Sequence, residues 1–427
     1  MGLIVEKYGG TSVGGIDRIK AVARRVIATQ EKGYDVVVVV SAMGKTTDEL
    51  LAMAAKIAPK PRQRELGMLL STGEVISCSL LAMAIQALGK KAIALTGAQS
   101  GISTDDIYAN ARITEIDTTR IKKHLAEGEI VVVAGYQGKV GDEITVLGRG
   151  GSDASAVALA AALQAEYCHI YTDVPGVFTA DPRIVRDASL LHGISYEEMI
   201  ELAASGAQVM MGRAVEIARK YGLRVKVSSS FENSPNPDKL GAAPDSIGTG
   251  TIITREEELE KVVITGVAAN KDVAMIDIYG VRIHSDDTAK ILGEIATRQI
   301  NIILMCSNSA GDHRSNLSLL VKPEDVDSIV DILNGFHHRA RIDRYRVNTD
   351  VAQVSIVGSG IANHYGVAYD MFDVLSKSNI EVLMTSTSEI KITAIVPKEC
   401  AELAISKLHE KFQLNHLQRN LLENKNG

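Results

Sequence analysis

The sequence has no tryptophan, and phenylalanine and tyrosine together supply only 4% of its 427 residues. Its interior must be filled with alanine, valine, isoleucine and glycine, which suits layered packing of helices on sheets. Cysteine is scarce as well. Cys78, Cys168, Cys306 and Cys400 stand far apart and form no C-x-x-C pair, so neither a disulfide framework nor a zinc cluster is supported. Reduced thiols in a cytoplasmic protein are the expectation. Positive charge is not in excess: the formal net charge is -6, so nucleic acid is not an obvious partner. A phosphate-handling site has to concentrate its cations locally. No apolar stretch approaches the ~18 residues of a membrane span, and the opening Met1–Lys7 is too short in apolar residues for a signal peptide. What is present is an ordinary globular balance, 46% hydrophobic and 23% charged. One hydrophobic core does not serve a chain this long, and two or three domains are expected.

Up to about residue 230, short β-branched runs such as Val36–Val40, Ile130–Ala134 and Leu223–Ser228 alternate with helical patterns such as Asp17–Gln30 and Asp153–Gln164. Continuous apolar runs suit strands buried on both faces, hence a mostly parallel sheet covered by helices. Residues 232–250 are rich in Asn, Pro, Gly and Ala and read as a linker. Beyond it, Asp272-Val273-Ala274 recurs as Asp350-Val351-Ala352, and the same offset of 78 carries Ile278 to Ile356, Gly280 to Gly358 and Asn301 to Asn379. A register held this long indicates a tandem duplication. Each copy reads as a small ferredoxin-like βαββαβ unit. In the first copy, strands are expected near 274–279, 300–305 and 316–321, with 341–347 closing the sheet. In the second they are expected near 354–357, 380–385 and 390–396.

Five turns carry chemistry. Lys7-Tyr8-Gly9-Gly10 follows the strand Leu3–Val5 and precedes a helix. Glycines there let backbone N–H groups close around a phosphate, and Lys7 adds a full charge; a plain tight turn is the alternative. Ser41-Ala42-Met43-Gly44 follows the valine strand at the carboxyl edge where open α/β sheets bind ligands. Ser71-Thr72-Gly73-Glu74 reads as a helix start, with Glu74 either complementing the helix dipole or holding a substrate ammonium. Gly148-Arg149-Gly150-Gly151-Ser152-Asp153 exposes a guanidinium suited to a carboxylate, with Asp153 either functional or a helix N-cap. Thr172-Asp173-Val174-Pro175-Gly176-Val177-Phe178 follows a further strand, and Asp181-Pro182-Arg183 comes after it.

These five runs, K-Y-G-G-T-S-V, S-A-M-G, S-T-G-E, G-R-G-G-S-D and Y-T-D-V-P-G-V-F-T-A-D-P-R, together with the duplicated tail, resemble the aspartate kinases. The resemblance implies an amino-acid-kinase-like three-layer αβα sandwich with a mostly parallel sheet, then two ferredoxin-like ACT domains. The implied division is 1–231 for the kinase, 232–261 for the linker, and 262–348 and 349–427 for the ACT domains. The implied activity is ATP-dependent phosphorylation of the L-aspartate β-carboxylate, with Mg2+ bound along with ATP and no dedicated metal cage. It implies that Lys7, Tyr8, Gly9, Gly10 and Ser41 hold ATP phosphates. Thr47, Glu74, Arg149, Gly150, Gly151 and Ser152 take aspartate, Glu74 its ammonium and Arg149 its α-carboxylate. Asp153 organises the cations around the transferring phosphoryl, and Thr172, Asp173, Phe178, Asp181 and Arg183 line the nucleotide pocket. One departure stands out: Gln208 replaces a lysine usual in the nucleotide lobe.

Two alternatives remain at this stage: another carboxylate kinase of the superfamily, acting on glutamate or acetylglutamate, and a non-catalytic amino-acid sensor. Arg149 with Glu74 and the paired repeats oppose the first. Lys7 and Asp153 oppose the second. The resemblance also implies a lysine or threonine effector at the ACT domains, and a homodimer or larger assembly through their apolar strands 300–305 and 380–385. The first-copy effector loop, 282–288, lacks the usual proline and glycine. Asp286 and Asp287 there are expected to cap the helix and repel an incoming carboxylate.

Overall fold

The computed structural model describes residues 2–207, 209–231, 250–256, 262–282, 286–311, 313–339 and 341–416. The chain divides into two compact units. The first is Met1–Phe178, Leu190–Ala203 and Gln208–Glu260; the second is Thr179–Ser189, Ala204–Ala207 and Lys261–Gly427.

In the first unit, strands β1 (Leu3–Tyr8), β2 (Asp35–Val40), β3 (Ala92–Leu95), β4 (Ile102–Thr104), β5 (Ile113–Ile116), β6 (Ile130–Ala134), β7 (Gln137–Val140), β8 (Glu143–Val146), β9 (Tyr167–Thr172), β10 (Gly193–Ser195), β11 (Val225–Ser229) and β12 (Thr251–Thr254) alternate with helices. These helices are α1 (Ile16–Glu31), α2 (Thr46–Ile57), α3 (Gln63–Ala87), α4 (Thr119–Ala126), α5 (Gly151–Leu163), α6 (Tyr196–Ala204) and α7 (Gly212–Tyr221). The main sheet runs β10-β12-β11-β9-β1-β2-β6-β3. From β11 to β3 its six strands are parallel, and β12 joins β11 antiparallel. Strand β12 lies inside the segment expected to be a linker. Its short apolar Ile252-Ile253 pair stands beside the turn-rich run, and it joins β11 to the edge strand β10. A second small sheet, β5-β4-β7-β8, was not anticipated.

The strand period of two decides which face each side chain meets. Tyr8, Val36, Val38 and Val40 join the core under α1 and α3, whereas Lys7 points to the opposite face, where α5 supplies Asp153. Helix α3 corrects two expectations. By length and composition it is apolar enough to cross a membrane, contrary to the sequence reading, but half of its apolar window is buried in the protein. It also begins at Gln63, eight residues before Ser71, so Glu74 sits mid-helix rather than in a first turn.

In the second unit, strands β13 (Gly266–Asn270), β14 (Ala274–Arg282), β15 (Leu304–Gly311), β16 (Arg314–Val321), β17 (Arg344–Asn348), β18 (Val351–Val357), β19 (Met384–Thr387) and β20 (Lys391–Pro397) form two sheets, β15-β16-β14-β17 and β13-β18-β20-β19. Helices α8 (Asp287–Thr297) and α9 (Val326–His338) cover the first; α10 (Val367–Lys377) and α11 (Ala401–Lys411) cover the second. The first copy is closed by β17, as its 341–347 run led one to expect. The second copy is closed by β13, which pairs antiparallel with β18, although its residues fall in the span assigned to the first copy. Both sheets thus gain a fourth strand, one from downstream and one from upstream. Strands β15 and β19 start four residues later than expected, because Ile303 and Leu383 instead pack beside a small cluster shared by both sheets.

Candidate active site

The parallel register brings five strand ends together. Tyr8 lies opposite Val40 on one side and Tyr171 on the other, Val40 opposite Ala134, and Thr172 opposite Ser229. Backbone N–H groups one residue beyond each end continue the ladder: Gly9 donates to Tyr171, Ser41 to Tyr8, Gly135 to Val40 and Ser230 to Thr172, all within 2.8–3.1 Å. The chain leaves β1 for β2 on one side and later returns through β9 on the other. This is a topological switch point, where the carboxyl ends of the strands open a crevice.

The turns after β1, β2 and β9 meet there, and Glu74 of α3 and Asp153 of α5 reach them. Gly44 N–H donates to Gly10 O at 3.0 Å, and a Cβ on Gly10 would lie 2.8 Å from Ala42 O, so only glycine lets the two turns close. Lys7 Nζ stands 2.5 Å from Asp153 Oδ1, with both residues only 8% exposed. That oxygen makes no directed hydrogen bond, so the contact is one of charge. Asp153 does not cap α5, whose N-cap is Gly150 and which has no side-chain cap. Gly150 has φ +68°, and its missing Cβ would overlap Met211 Cγ at 1.8 Å. That backbone conformation presents Arg149 to solvent.

Glu74 is 3% exposed. Its Oε1 accepts the Ala42 N–H at 3.0 Å; Oε2 is buried without a hydrogen-bond partner. Burial pushes the carboxyl up to about 7, and the Ala42 amide only partly offsets this. A carboxylate held ready in this way lacks a cation. Thr47 lies half-buried in the first turn of α2. Thr172 Oγ1 donates to Asp173 Oδ1 at 3.2 Å, and Phe178 is half-buried, bridged to Leu190. Asp181 and Arg183 come shortly after Phe178 in the chain. They belong to the second unit and grip one another, Arg183 Nη2 lying 2.7 Å from Asp181 Oδ2. Gln208 lies outside the described residues.

Sequence reasoning missed Tyr136 and Ser155, and singled out Arg213 only as a cation able to compensate for Gln208. Tyr136 has φ +68°, uncommon for a residue with a side chain. Its amide donates to Ser155 Oγ, and its phenol is pushed up to about 12 by burial first and then by Glu74. The only sequence signal was Gly135, one residue past a β-branched strand. Arg213 donates to Leu147 O at 3.0 Å and Ala111 O at 2.7 Å, which pins the approach to Gly148.

Residues 2–229 match the amino acid kinase family, and residues 354–412 match the ACT domain. Aspartokinase 2 of Bacillus subtilis is 46% identical over 417 residues, covering 97% of this chain and 98% of the relative. The chain belongs to the aspartokinase family. The aspartokinase of Corynebacterium glutamicum is 41% identical over 97% of both chains. Among solved structures, the aspartate kinase of Synechocystis is 38% identical, with a TM-score of 0.51, over 96% of this chain and 69% of that one. E. coli aspartokinase III, in complex with aspartate and ADP, shares the fold with a TM-score of 0.81 at 23% identity, over 96% and 99% of the two chains. The activity of this aspartokinase chain is phosphorylation of aspartate by ATP, joined to ACT regulation. The carboxylate-kinase and sensor alternatives fall away.

Proposed function

We propose that the strand-end turns of the first unit bind ATP and L-aspartate, and that Lys7 and Asp153 support phosphoryl transfer to the β-carboxylate, giving 4-phospho-L-aspartate and ADP. The carrying observation is the buried Lys7–Asp153 pair at the switch point. A β-carboxylate oxygen attacks the γ-phosphorus as the bond to the ADP oxygen breaks. The nucleophile carries no proton, so no general base is needed, and the barrier is positional and electrostatic. Lys7 meets the charge of the transferring group, while Asp153 fixes its ammonium. Tyr8, Gly9, Gly10 and Ser41 supply the phosphate cradle, with Thr172, Asp173 and Phe178 beside the nucleotide. Glu74 Oε2 takes the α-ammonium of aspartate, whose positive charge supplies the missing partner. Arg149 takes the α-carboxylate, and Thr47, Gly150, Gly151 and Ser152 shape the pocket. Asp181 and Arg183, which follow Phe178 and pair with one another, complete the nucleotide lining.

Mg2+ bound along with ATP would screen the phosphate charge. Among the described residues, the one group of three metal-ligating side chains is His124, Glu127 and Glu129, which precedes β6 at the opposite edge of the sheet. No dedicated metal cage is assigned at the phosphate end, so Mg2+ would be held chiefly by phosphate oxygens and water.

The regulatory part of the proposal is a lysine or threonine effector bound at the ACT domains of a cytoplasmic homodimer. Strands β15 and β19 are sheet edges, and Met305 on β15 is half-exposed. Leu304 and Met384 already pack within the chain, so a second copy would join these edges mainly through backbone groups. Sedimentation at micromolar concentration giving a monomer rules this contact out. For the reaction, ADP release is measured with aspartate, glutamate and N-acetylglutamate. Turnover with aspartate alone supports the site; turnover with glutamate at a similar kcat/KM refutes it.

A further inference from the structure

The residues between β9 and β10 include a strap that belongs to the second unit, Thr179–Ser189. Thr179 is fully buried. Its carbonyl accepts the Val267 N–H at 2.8 Å, and its amide donates to Ser189 O at 2.9 Å. Its hydroxyl oxygen accepts the Ser189 N–H at 3.0 Å and lies 2.9 Å from His409 Nε2 on α11. Which of Thr179 and His409 donates depends on the tautomer of the imidazole. Burial holds its pKa below the usual value, against a smaller upward pull from Asp187. Ala180 and Val185 enter the core of the second ACT sheet. At the far end, Ser189 Oγ donates to Asn415 O, and Asn415 Nδ2 donates to Asp187 Oδ2, both at 3.0 Å.

Between this strap and α11 opens a pocket of about 610 Å³, within the ~300–1,000 Å³ range of small-molecule sites. Its polar lining is Asp187, Ser406, His409, Glu410, Gln413 and Asn415. Two carboxylates, a neutral imidazole, a hydroxyl and two amides face the space, and no lysine or arginine among the described residues lines it. Lys407 shares the Glu410 carboxylate from outside the lining, at 2.9 Å. That balance of sign disfavours phosphates and nucleotides and suits charge-assisted hydrogen bonds from an ammonium group.

We infer that this pocket binds a small molecule presenting one or more ammonium groups, and that its occupancy bears on nucleotide binding through His409 and Thr179. The second clause rests on assigning Thr172–Phe178 to the nucleotide, since Thr179 directly follows Phe178. None of its lining residues lies at the helix starts of α8 or α10, where an effector's carboxylate is proposed to dock. A diamine has no carboxylate and cannot use them.

The test titrates the full-length protein calorimetrically with 1,5-diaminopentane and measures KM for ATP and for aspartate with and without it. Saturable binding is expected. Asp187→Asn and Glu410→Gln should each weaken it about tenfold or more, a loss of about 1.4 kcal/mol. Glu399→Gln, an exposed control outside the pocket, should leave it unchanged. The diamine should shift KM for ATP and not KM for aspartate, and His409→Gln should abolish that shift while binding persists. No saturable binding, or binding indifferent to both carboxylate substitutions, overturns the site. Binding that moves KM for aspartate instead overturns the link and the nucleotide assignment of Thr172–Phe178, and leaves the amine site standing.

Discussion

Glu74 and Asp287 are both carboxylates withdrawn from water, 3% and 1% exposed, and their surroundings are opposite. Glu74 has one backbone amide and no cation, and its pKa rises to about 7. Asp287, at the start of α8, lies 2.6 Å from Arg341 Nη1 and 3.9 Å from Arg282 Nε. Its neighbour Asp286 pairs with Lys290 at 2.7 Å and makes no side-chain cap. The expectation that Asp286 caps the helix with its side chain is thereby corrected. The charge of both aspartates is already spent on cations that the surrounding sequence did not single out. The kinase unit keeps a buried charge for a ligand to complete, whereas the first ACT copy completes its own. Loss of charge in the first should cost catalysis; loss in the second should cost stability.

The largest effect is expected at Lys7. Lys7→Ala should lower kcat by about 10²–10³, the scale of losing one preorganised charge. Because Lys7 is nearly buried and paired with Asp153, circular dichroism should accompany the kinetics. A folded variant with unchanged kcat removes Lys7 from the mechanism. Next comes Glu74→Gln, which should raise KM for aspartate by about 10–100-fold, the equivalent of one charge-assisted bond. In the parent enzyme, kcat/KM for aspartate should rise with pH through about 7 as Glu74 ionises. The glutamine variant should lack this step, and a step that survives assigns it to another group. The same shift bears on stability. The folded state holds the Glu74 proton to higher pH than the unfolded chain does, so the penalty is absent below the ordinary value of 4.5 and grows as pH rises through about 7.

Smaller again is Arg341→Ala, which should leave kcat unchanged and cost about 1–3 kcal/mol by leaving Asp287 short of its principal partner. A chemical denaturation midpoint equal to that of the parent would contradict the comparison. The smallest expected effect concerns feedback. Since Asp287–Arg341 occupies the first-copy helix start while Gly366, with φ +96°, begins α10 of the second copy beside an exposed Tyr365, any effector should act through the second copy. Threonine alone should change the initial rate at subsaturating aspartate by less than about fivefold, the lower end of allosteric coupling. Stronger inhibition by threonine, lost on changing Asp286–Thr288, reverses the assignment.

The kinase turns were legible because each is written locally: glycines and hydroxyls just past a β-branched run. The alternation that sends Lys7 to the α5 face was legible for the same reason. The start of α3 was not, because Gly73 looked like a helix boundary. It is tolerated mid-helix because a Cβ there would lie 2.8 Å from Ala42 Cβ. Nor could sequence place Thr179–Ser189 in the second unit or give β13 to the second copy. Those choices depend on partners far along the chain, such as His409 for Thr179 and Val354 for Ala269.

The donated strand β13 also sets an order of events during synthesis. Gly266–Asn270 leaves the ribosome before any of the first copy, yet its partner β18 follows all of it. The second sheet therefore cannot close until the first copy has been threaded between its strands, a non-local pairing of the slow kind. A fragment cut at residue 274 would carry both helices of the second copy and still present β18 as a bare edge, open to another chain.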